Sequence, residues 1–207
     1  TLKIEVLPSV DSTNNYLMQE ARKGYQQPHA LCVEYQSAGR GRHQRQWESP
    51  FGQNLICSLL WQFEKDPTEL SGLSLAVAVS VVEALTLYGI DGLQLKWPND
   101  ILWHEKKLSG ILIDLIAESH QHTQVIIGIG LNLLQHDPNS KWANLELITG
   151  QRPERNRIAA MVLQQLMTNL TRFAQEGLHP FLQTWRAHDV LAGKKINLTT
   201  TTGVHPA

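Results

Sequence analysis

One short run of the chain combines arginines, glycines and a tryptophan. It reads Gly39-Arg40-Gly41-Arg42-His43-Gln44-Arg45-Gln46-Trp47 and carries three guanidinium groups within six residues. A guanidinium presents a planar fork of donors that matches phosphate and carboxylate oxygens two at a time. The glycines let the main chain come close to a ligand, and the tryptophan offers a flat face to a nucleobase. The run, called the Arg-Gly loop below, predicts a site for an anion.

Two further motifs place lysines where predicted strands begin or end. In Lys96-Trp97-Pro98-Asn99-Asp100 the proline stops a strand, and in Lys106-Lys107-Leu108-Ser109-Gly110 the second lysine starts one. Each motif alone also fits an ordinary turn with a basic corner. Taken with the Arg-Gly loop, their cations could converge on a polyanion. Asp100 could then hold Mg²⁺, which prefers one or two carboxylates plus substrate phosphates.

The elements that must position these motifs form a mixed pattern. Strands dominate the first two-thirds of the chain and helices the last third, which predicts an α+β fold with a mixed sheet and helices packed on one face. The predicted strands lie at 4–6, 31–35, 54–63, 93–97, 101–103, 108–116, 124–134 and 194–198. The predicted helices follow Asp11-Ser12 up to Gly24 and lie at 73–88, 155–176 and 179–186.

Composition excludes several classes of protein. The 207 residues carry 18 Lys+Arg against 19 Asp+Glu, so wholesale attraction to nucleic acid or to a membrane is not indicated. At 42% hydrophobic the chain is globular, and it has no apolar stretch of the roughly 20 residues that span a bilayer. No P-loop or dinucleotide fingerprint is present. Cys32 and Cys57 lie in apolar strands without a C-x-x-C partner, which predicts reduced thiols and a cytoplasmic location.

In order and at matching spacing, five segments resemble the biotin protein ligases. The segments are Asp11-Ser12-Thr13-Asn14, the run from Gln36 through the Arg-Gly loop, Lys96-Trp97-Pro98-Asn99-Asp100, Lys107-Leu108-Ser109-Gly110-Ile111-Leu112 and Gly128-Ile129-Gly130-Leu131-Asn132. The resemblance extends over residues 1 to about 190. It implies the catalytic fold that this family shares with lipoate ligases and class II aminoacyl-tRNA synthetases, in agreement with the mixed sheet.

The resemblance also implies the residues of the site. Biotin would be bound by Ser12, Thr13, Asn14, Gln36, Arg40, Gly41, Arg42, Lys107, Gly110, Gly128 and Gly130. ATP and the adenylate would be bound by Arg42, Arg45, Trp47, Lys96, Asn99, Asp100, Lys107 and Asn132. The catalytic groups would be Lys107, Arg40 and Arg42, with the guanidinium donors facing the carboxylate and the α-phosphate. The three late glycines would keep the floor of the pocket low.

The implied function is that of an ATP-dependent ligase. It would activate biotin as biotinyl-5′-AMP and transfer it to a lysine of the biotin carboxyl carrier protein of acetyl-CoA carboxylase. ATP, Mg²⁺ and biotin are the expected substrates and cofactors, without a tightly bound prosthetic group. Lys107 is the expected central cation, because the biotin carboxylate and the α-phosphate are two anions that must meet.

Two features bear on domain organisation. The chain begins just before the first catalytic strand, so we expect the monofunctional type without an N-terminal DNA-binding domain, and no DNA partner. Residues 1–187 are expected to form the catalytic domain and 188–207 the start of an incomplete SH3-like domain, whose first strand has no partner strand in this chain. A homodimer is possible.

Three alternatives stay open. A lipoate or octanoate ligase has the same fold, but would prefer an Arg-Arg-x-Ser-Gly-Gly-Gly loop that is not seen here. A nucleic-acid-binding module could use the Arg-Gly loop, although the near-neutral composition does not favour it. A non-catalytic adenylate-binding relative would differ only in activity.

Overall fold

The fold is built on a seven-stranded sheet whose order is β1-β2-β3-β7-β6-β5-β4. A computed structural model describes residues 1–48, 50–119, 122–134, 140–195, 197–200 and 203–206. The strands of this sheet are β1 (Lys3–Val10), β2 (His29–Gln36), β3 (Asn54–Phe63), β4 (Leu93–Lys96), β5 (Asp100–Trp103), β6 (Lys106–Ser119) and β7 (His122–Asn132). The helices are α1 (Thr13–Arg22), α2 (Leu73–Leu87), α3 (Leu145–Thr149), α4 (Arg155–Glu176) and α5 (Leu182–His188).

Strand directions confirm the mixed sheet of an α+β fold. β1 and β2 run parallel, and the remaining neighbours in this sheet run antiparallel. β3 pairs with β7 along its whole length, from Asn54 opposite Asn132 to Phe63 opposite Thr123. Both strands are buried on two sides and carry near-continuous apolar sequence, as expected of the centre of a covered sheet.

The prediction that the helices pack on one face is wrong for α1. Leu55, Cys57 and Leu59 of β3 face the main core, which contains the apolar residues of α2 and α4. Ile56 and Leu60, on the opposite face, belong to a second core with residues of α1. Alternate residues of a strand point to opposite faces, so a strand that is apolar throughout needs cover on both. α1 provides that cover near the Arg-Gly loop.

The end of the chain also differs from the prediction. β8 (Asn197–Thr200) is not without a partner, because it pairs antiparallel with β9 (Gly203–Pro206). Residues beyond 187 also contact the seven-stranded sheet, since the Val190 amide donates to the Leu95 carbonyl at 3.0 Å. The sequence did not indicate β9, because Gly203 and Pro206 are poor strand formers.

Cys32 and Cys57 are free thiols that face each other across β2 and β3. Their sulfur atoms are 3.2 Å apart. Among the described residues, no helix is both long enough and apolar enough to cross a membrane.

A buried histidine ties β1 to β2 and makes stability depend on pH. The His29 side chain is fully buried, and its Nε2 lies 2.9 Å from a Glu5 carboxylate oxygen. Burial, reinforced by the Lys3 ammonium, lowers the pKa of His29 although Glu5 opposes the shift. The unfolded chain therefore takes up a proton more readily than the native one. The free energy of unfolding should fall as the pH drops below about 6.5, the ordinary pKa of histidine.

We expect His29→Gln to flatten this dependence between about pH 7 and pH 5, because the group that binds the extra proton is gone. Urea denaturation at a series of pH values measures the slope. His122→Gln is the matched control, since His122 is exposed on β7. Equal slopes in the wild type and His29→Gln would contradict the assignment.

Candidate active site

All the residues predicted for the site line one cleft of about 1040 Å³. The cleft lies at the N-terminal end of α1, over β3, β7 and β6. The Arg-Gly loop and the β4–β5 turn form its walls. The segments are far apart in sequence and converge because β6 and β7 lie between β3 and β5 in the sheet.

One end of the cleft is a buried polar cluster. Ser12 caps α1, and its Oγ accepts from the Asn15 amide at 3.5 Å. The Gln36 side-chain oxygen accepts from the Thr13 amide at 2.7 Å and from the Thr13 hydroxyl at 3.0 Å. The Ser58 hydroxyl lies 2.6 Å from Thr13 Oγ1. Helix α1 thus presents a fixed set of polar groups to a ligand, as its capped N-terminus predicts.

The glycines of the cleft make room for neighbouring side chains. A Cβ at Gly128 would overlap the side-chain oxygen of Asn14, and one at Gly130 would overlap the Trp47 ring. At Gly110 a Cβ would lie 3.1 Å from both Trp47 and Lys107. The glycines therefore accommodate the Asn14, Trp47 and Lys107 side chains, and their predicted role in making room for a ligand stays a prediction.

The Arg-Gly loop is closed by its own main chain. The Gly41 amide donates to the Arg45 carbonyl at 2.7 Å, and the Trp47 amide donates to the Gly39 carbonyl at 3.0 Å. Between these bonds, Arg42–Gln44 forms a single 3₁₀ turn. The Arg42 and Arg45 side chains are exposed at the cleft, and Arg42 lies 3.5 Å from the side-chain oxygen of Asn99. Both guanidinium groups can therefore bind an anion that enters.

Lys107 lies at the centre of the cleft. Its ammonium is 2.7 Å from Asp100 Oδ1 and 5.7 Å from the centre of the Trp47 ring. The contact with Asp100 pairs the charges without a well-aligned hydrogen bond. Lys96 is exposed at the end of β4, where the chain turns through a cis Trp97–Pro98 peptide. The two lysines, Arg42 and Arg45 form a field of positive charge over the floor.

Arg40 is paired with a carboxylate through two hydrogen bonds. Its two terminal nitrogens lie 3.1 and 3.2 Å from the two carboxylate oxygens of Asp114. One of them also donates to the side chain of Asn15 at 2.9 Å. In this arrangement the guanidinium faces Asp114, and the prediction that it faces a substrate carboxylate stays a prediction.

Asn132 and Asn99 are bonded to the main chain. The Asn132 amide donates to the Ala143 carbonyl at 3.1 Å, and the Asn99 amide donates to the Ile111 carbonyl at 2.9 Å. Both residues line the cleft. These bonds fix the segment after residue 140 and the β4–β5 turn beside Lys107.

Sequence reasoning missed several polar or aromatic residues of the cleft and its support, among them Ser58, Asp114, Trp142 and Asn144. A signal existed for the first two, because each is a polar residue with apolar neighbours on both sides in a strand. Asp114 shares a strand face with Gly110. No comparable signal marks the other two, which are brought to the cleft when Ala143 bonds to the Lys107 carbonyl.

The residues of the cleft could hold a metal ion only if a substrate supplied further ligands. Among the described residues, no group of three His, Cys, Asp or Glu side chains could hold one. Asp100 is the one predicted ligand, and its charge is balanced by Lys107. A Mg²⁺ ion here would need most of its ligands from phosphate and water, which is its usual manner of binding beside nucleotides.

Comparisons of the sequence with known proteins all lead to one family of ligases. The model of the biotin/lipoate A/B protein ligase family matches residues 6–132. The chain is 38% identical over 200 residues to the bifunctional ligase/repressor BirA of Escherichia coli, covering 94% of this chain and 62% of that protein's length. It is 31% identical over 206 residues to the biotin–[acetyl-CoA-carboxylase] ligase of Mycobacterium tuberculosis, covering 95% of this chain and 74% of that relative.

Solved structures of biotin protein ligases also resemble this chain. The biotin protein ligase of Aquifex aeolicus in complex with biotin and ATP is 27% identical, with a TM-score of 0.78 over 99% of this chain and 95% of that one. The ligase of Leishmania major in complex with biotin is 20% identical with a TM-score of 0.73, which supports the fold alone. On the family match over more than half of its length, the chain belongs to the biotin/lipoate A/B protein ligase family.

Proposed function

We propose that this protein joins biotin to ATP as biotinyl-5′-AMP and then transfers the biotinyl group to a lysine of a biotin carboxyl carrier protein. The observation that carries the proposal is the cleft itself. It has a buried polar cluster at one end and, at the other, the exposed guanidinium groups of Arg42 and Arg45, which have no acidic partner among the described residues, with Lys107 between them. Biotin has a polar ureido ring and a carboxylate at opposite ends, and this arrangement is complementary to it.

In the first half-reaction a carboxylate oxygen of biotin attacks the α-phosphorus of ATP. A new P–O bond forms while the bond to the β-phosphate breaks, and pyrophosphate leaves with the electron pair. Lys107, Arg42 and Arg45 are proposed to lower the repulsion between the anions and to stabilise charge on the phosphoryl oxygens. Thr13, Asn14 and Gln36 are proposed to hold the ring, so that the carboxylate is positioned for attack.

In the second half-reaction an acceptor lysine amine attacks the acyl carbon of the mixed anhydride. An amide bond forms, AMP leaves, and the amine proton passes to solvent or to the departing phosphate. Nucleophile and leaving group both come from the substrates, so the protein contributes position and electrostatics. The acceptor named for the Mycobacterium relative, acetyl-CoA carboxylase, is the proposed partner here.

The proposal includes Mg²⁺ as an ion that enters with ATP. Asp100 would supply one carboxylate, and the ion would offset charge on the phosphates. Trp47 and Asn132 are proposed for the adenine, with Lys96 and Asn99 near the pyrophosphate.

Three further points are proposals of the same kind. The catalytic unit spans residues 1–187, and the residues from 188 begin a small SH3-like domain that includes β8 and β9. The chain spans about 62% of the length of the BirA proteins of Escherichia coli and Salmonella typhimurium. The ligase activity as a whole is therefore a proposal for this protein. A cytoplasmic location, a possible homodimer and the absence of a DNA partner stay predictions.

Exchange of pyrophosphate into ATP tests the proposal. Exchange should depend on biotin, and lipoate should not replace it. Exchange that requires lipoate would favour the other branch of the family. Binding of biotinyl-AMP without any exchange would indicate a non-catalytic relative.

A further inference from the structure

Asp114 is the acidic side chain at the polar end of the cleft. It lies on β6, and its side chain is 17% exposed. Both of its carboxylate oxygens accept from Arg40, at 3.1 and 3.2 Å. A bidentate pair of this kind fixes both partners in direction as well as in distance. Arg40 belongs to the Arg-Gly loop, so this pair links the loop to the central sheet.

The same carboxylate reaches into the buried polar cluster. Its Oδ2 accepts from the Asn14 side-chain amide at 2.9 Å. The oxygen of that amide lies 2.6 Å from the Ser58 hydroxyl, which also contacts Thr13. A hydrogen-bonded chain therefore runs from the loop, through Asp114, to the start of α1. Such chains act as units, because each member sets the orientation of the next.

Arg40 differs from the other two arginines of the loop. Arg42 and Arg45 have exposed side chains without an acidic partner in the described part of the chain. Arg40 has its charge neutralised and three of its hydrogen bonds directed at Asp114 and Asn15. A guanidinium held in this way adds little positive potential to the cleft. Its main effect is to hold the Arg-Gly loop in place.

We infer that Asp114 is a positioning residue, which latches the Arg-Gly loop over the cleft through Arg40 and fixes the orientation of the Asn14 amide. The catalytic consequence rests on the proposed function, in which biotin binds between these two elements. The latch itself is a property of the fold and can be measured without a substrate. In this role Arg40 acts through the loop backbone, and the cations that meet the anionic groups are Arg42, Arg45 and Lys107.

Asp114→Asn is the sharpest variant, because it keeps the shape of the side chain. One carboxylate oxygen becomes an NH₂ group, and in either orientation that donor faces another donor, from Arg40 or from Asn14. The KM for biotin in pyrophosphate exchange should rise about ten- to a hundredfold, the usual consequence of losing a charged hydrogen bond. The kcat and the KM for ATP should change much less, since the groups that meet the phosphates are untouched.

Limited trypsin digestion provides a readout that requires no activity. Trypsin cleaves after Arg40, Arg42 and Arg45, and none of these is altered by the variant. The rate of cleavage in the loop should rise several-fold in Asp114→Asn, because cleavage follows the population of the open loop. Asp114→Glu, which retains the charge, should recover most of the wild-type rate and KM. Glu176→Gln is the control, since it removes an exposed ion pair with Arg172 on α4, outside the cleft.

The outcomes separate the two claims. Wild-type cleavage rates and an unchanged KM for biotin in Asp114→Asn would overturn the latch. Faster loop cleavage together with no biotin-dependent exchange in the wild type would support the latch and overturn the proposed function. If Asp114→Asn lowers the thermal midpoint by more than Glu176→Gln does, the decision rests on Asp114→Glu. A failure of Glu to restore protection from trypsin would then count against the inference.

Discussion

Replacement of Lys107 by alanine is expected to remove almost all pyrophosphate exchange while biotin still binds. The loss should be about a hundred- to a thousandfold in kcat, the range seen when one preorganised donor to a developing oxyanion is deleted. Binding of biotin itself should weaken by much less, because its ring is proposed to lie on groups of α1 and β2. The KM for ATP is expected to change less than kcat.

The reason lies in where the ammonium is held. Lys107 is the second residue of β6, and its ammonium lies 2.7 Å from Asp100 and 5.7 Å from the centre of the Trp47 ring. Asp100 directs the side chain over the floor of the cleft before any substrate arrives. A cation that is already oriented needs no reorganisation as charge builds up in the transition state, so its effect falls on kcat rather than on binding.

The neighbouring lysine is the matched control. Lys106 precedes Lys107 on the same strand and has an exposed side chain, so Lys106→Ala removes the same charge from the chain away from the cleft. Exchange rates with both variants, and calorimetric titration with biotin, make the comparison. Normal exchange in Lys107→Ala, or equal losses in the two variants, would refute the central role of Lys107.

Much of the site could be predicted because its residues are concentrated at the ends of strands. Proline after Lys96 and Trp97, glycine beside arginine, and serine before a helix are local signals that do not depend on the rest of the fold. Their convergence could be inferred once several such motifs occurred in order. The long elements were predictable for a similar reason: α4 has the predicted bounds, from Arg155 to Glu176.

The rest depended on contacts between distant segments. Asp114 and Arg40 are 74 residues apart, and nothing in either local sequence indicates that they pair. The place of α1 on the opposite face depends on how it connects the parallel strands β1 and β2, and it leaves β3 between two cores. Sequence periodicity can show that a strand is buried on both sides, but it does not specify which helix covers each side.

The second large effect is expected at Gly128, on the floor of the cleft. A Cβ at this position would overlap the Asn14 side-chain oxygen and lie 3.1 Å from its Cγ. Asn14 is 3% exposed, and both ends of its amide are bonded, to Ser58 at 2.6 Å and to Asp114 at 2.9 Å. The amide cannot move aside without breaking at least one buried hydrogen bond.

Gly128→Ala should therefore lower the free energy of unfolding by about 1–3 kcal/mol, as is typical of an overpacked core. Biotin affinity should fall about a hundredfold, since the displaced amide belongs to the group proposed to hold the ring. Urea denaturation gives the first quantity, and calorimetric titration with biotin gives the second. Alanine at an interior strand position normally costs nothing relative to glycine, so a loss of stability would come from the clash.

A double-mutant cycle isolates the clash from other effects of the methyl group. In an Asn14→Ala background the side chain that Gly128 accommodates is absent, so adding Gly128→Ala should change the free energy of unfolding by no more than about 0.5 kcal/mol. The two substitutions would then be strongly non-additive, as expected of residues in direct contact. If Gly128→Ala costs the same in both backgrounds, its effect arises from the pairing of β7 with β3 and β6, and Gly128 has no specific part in shaping the site.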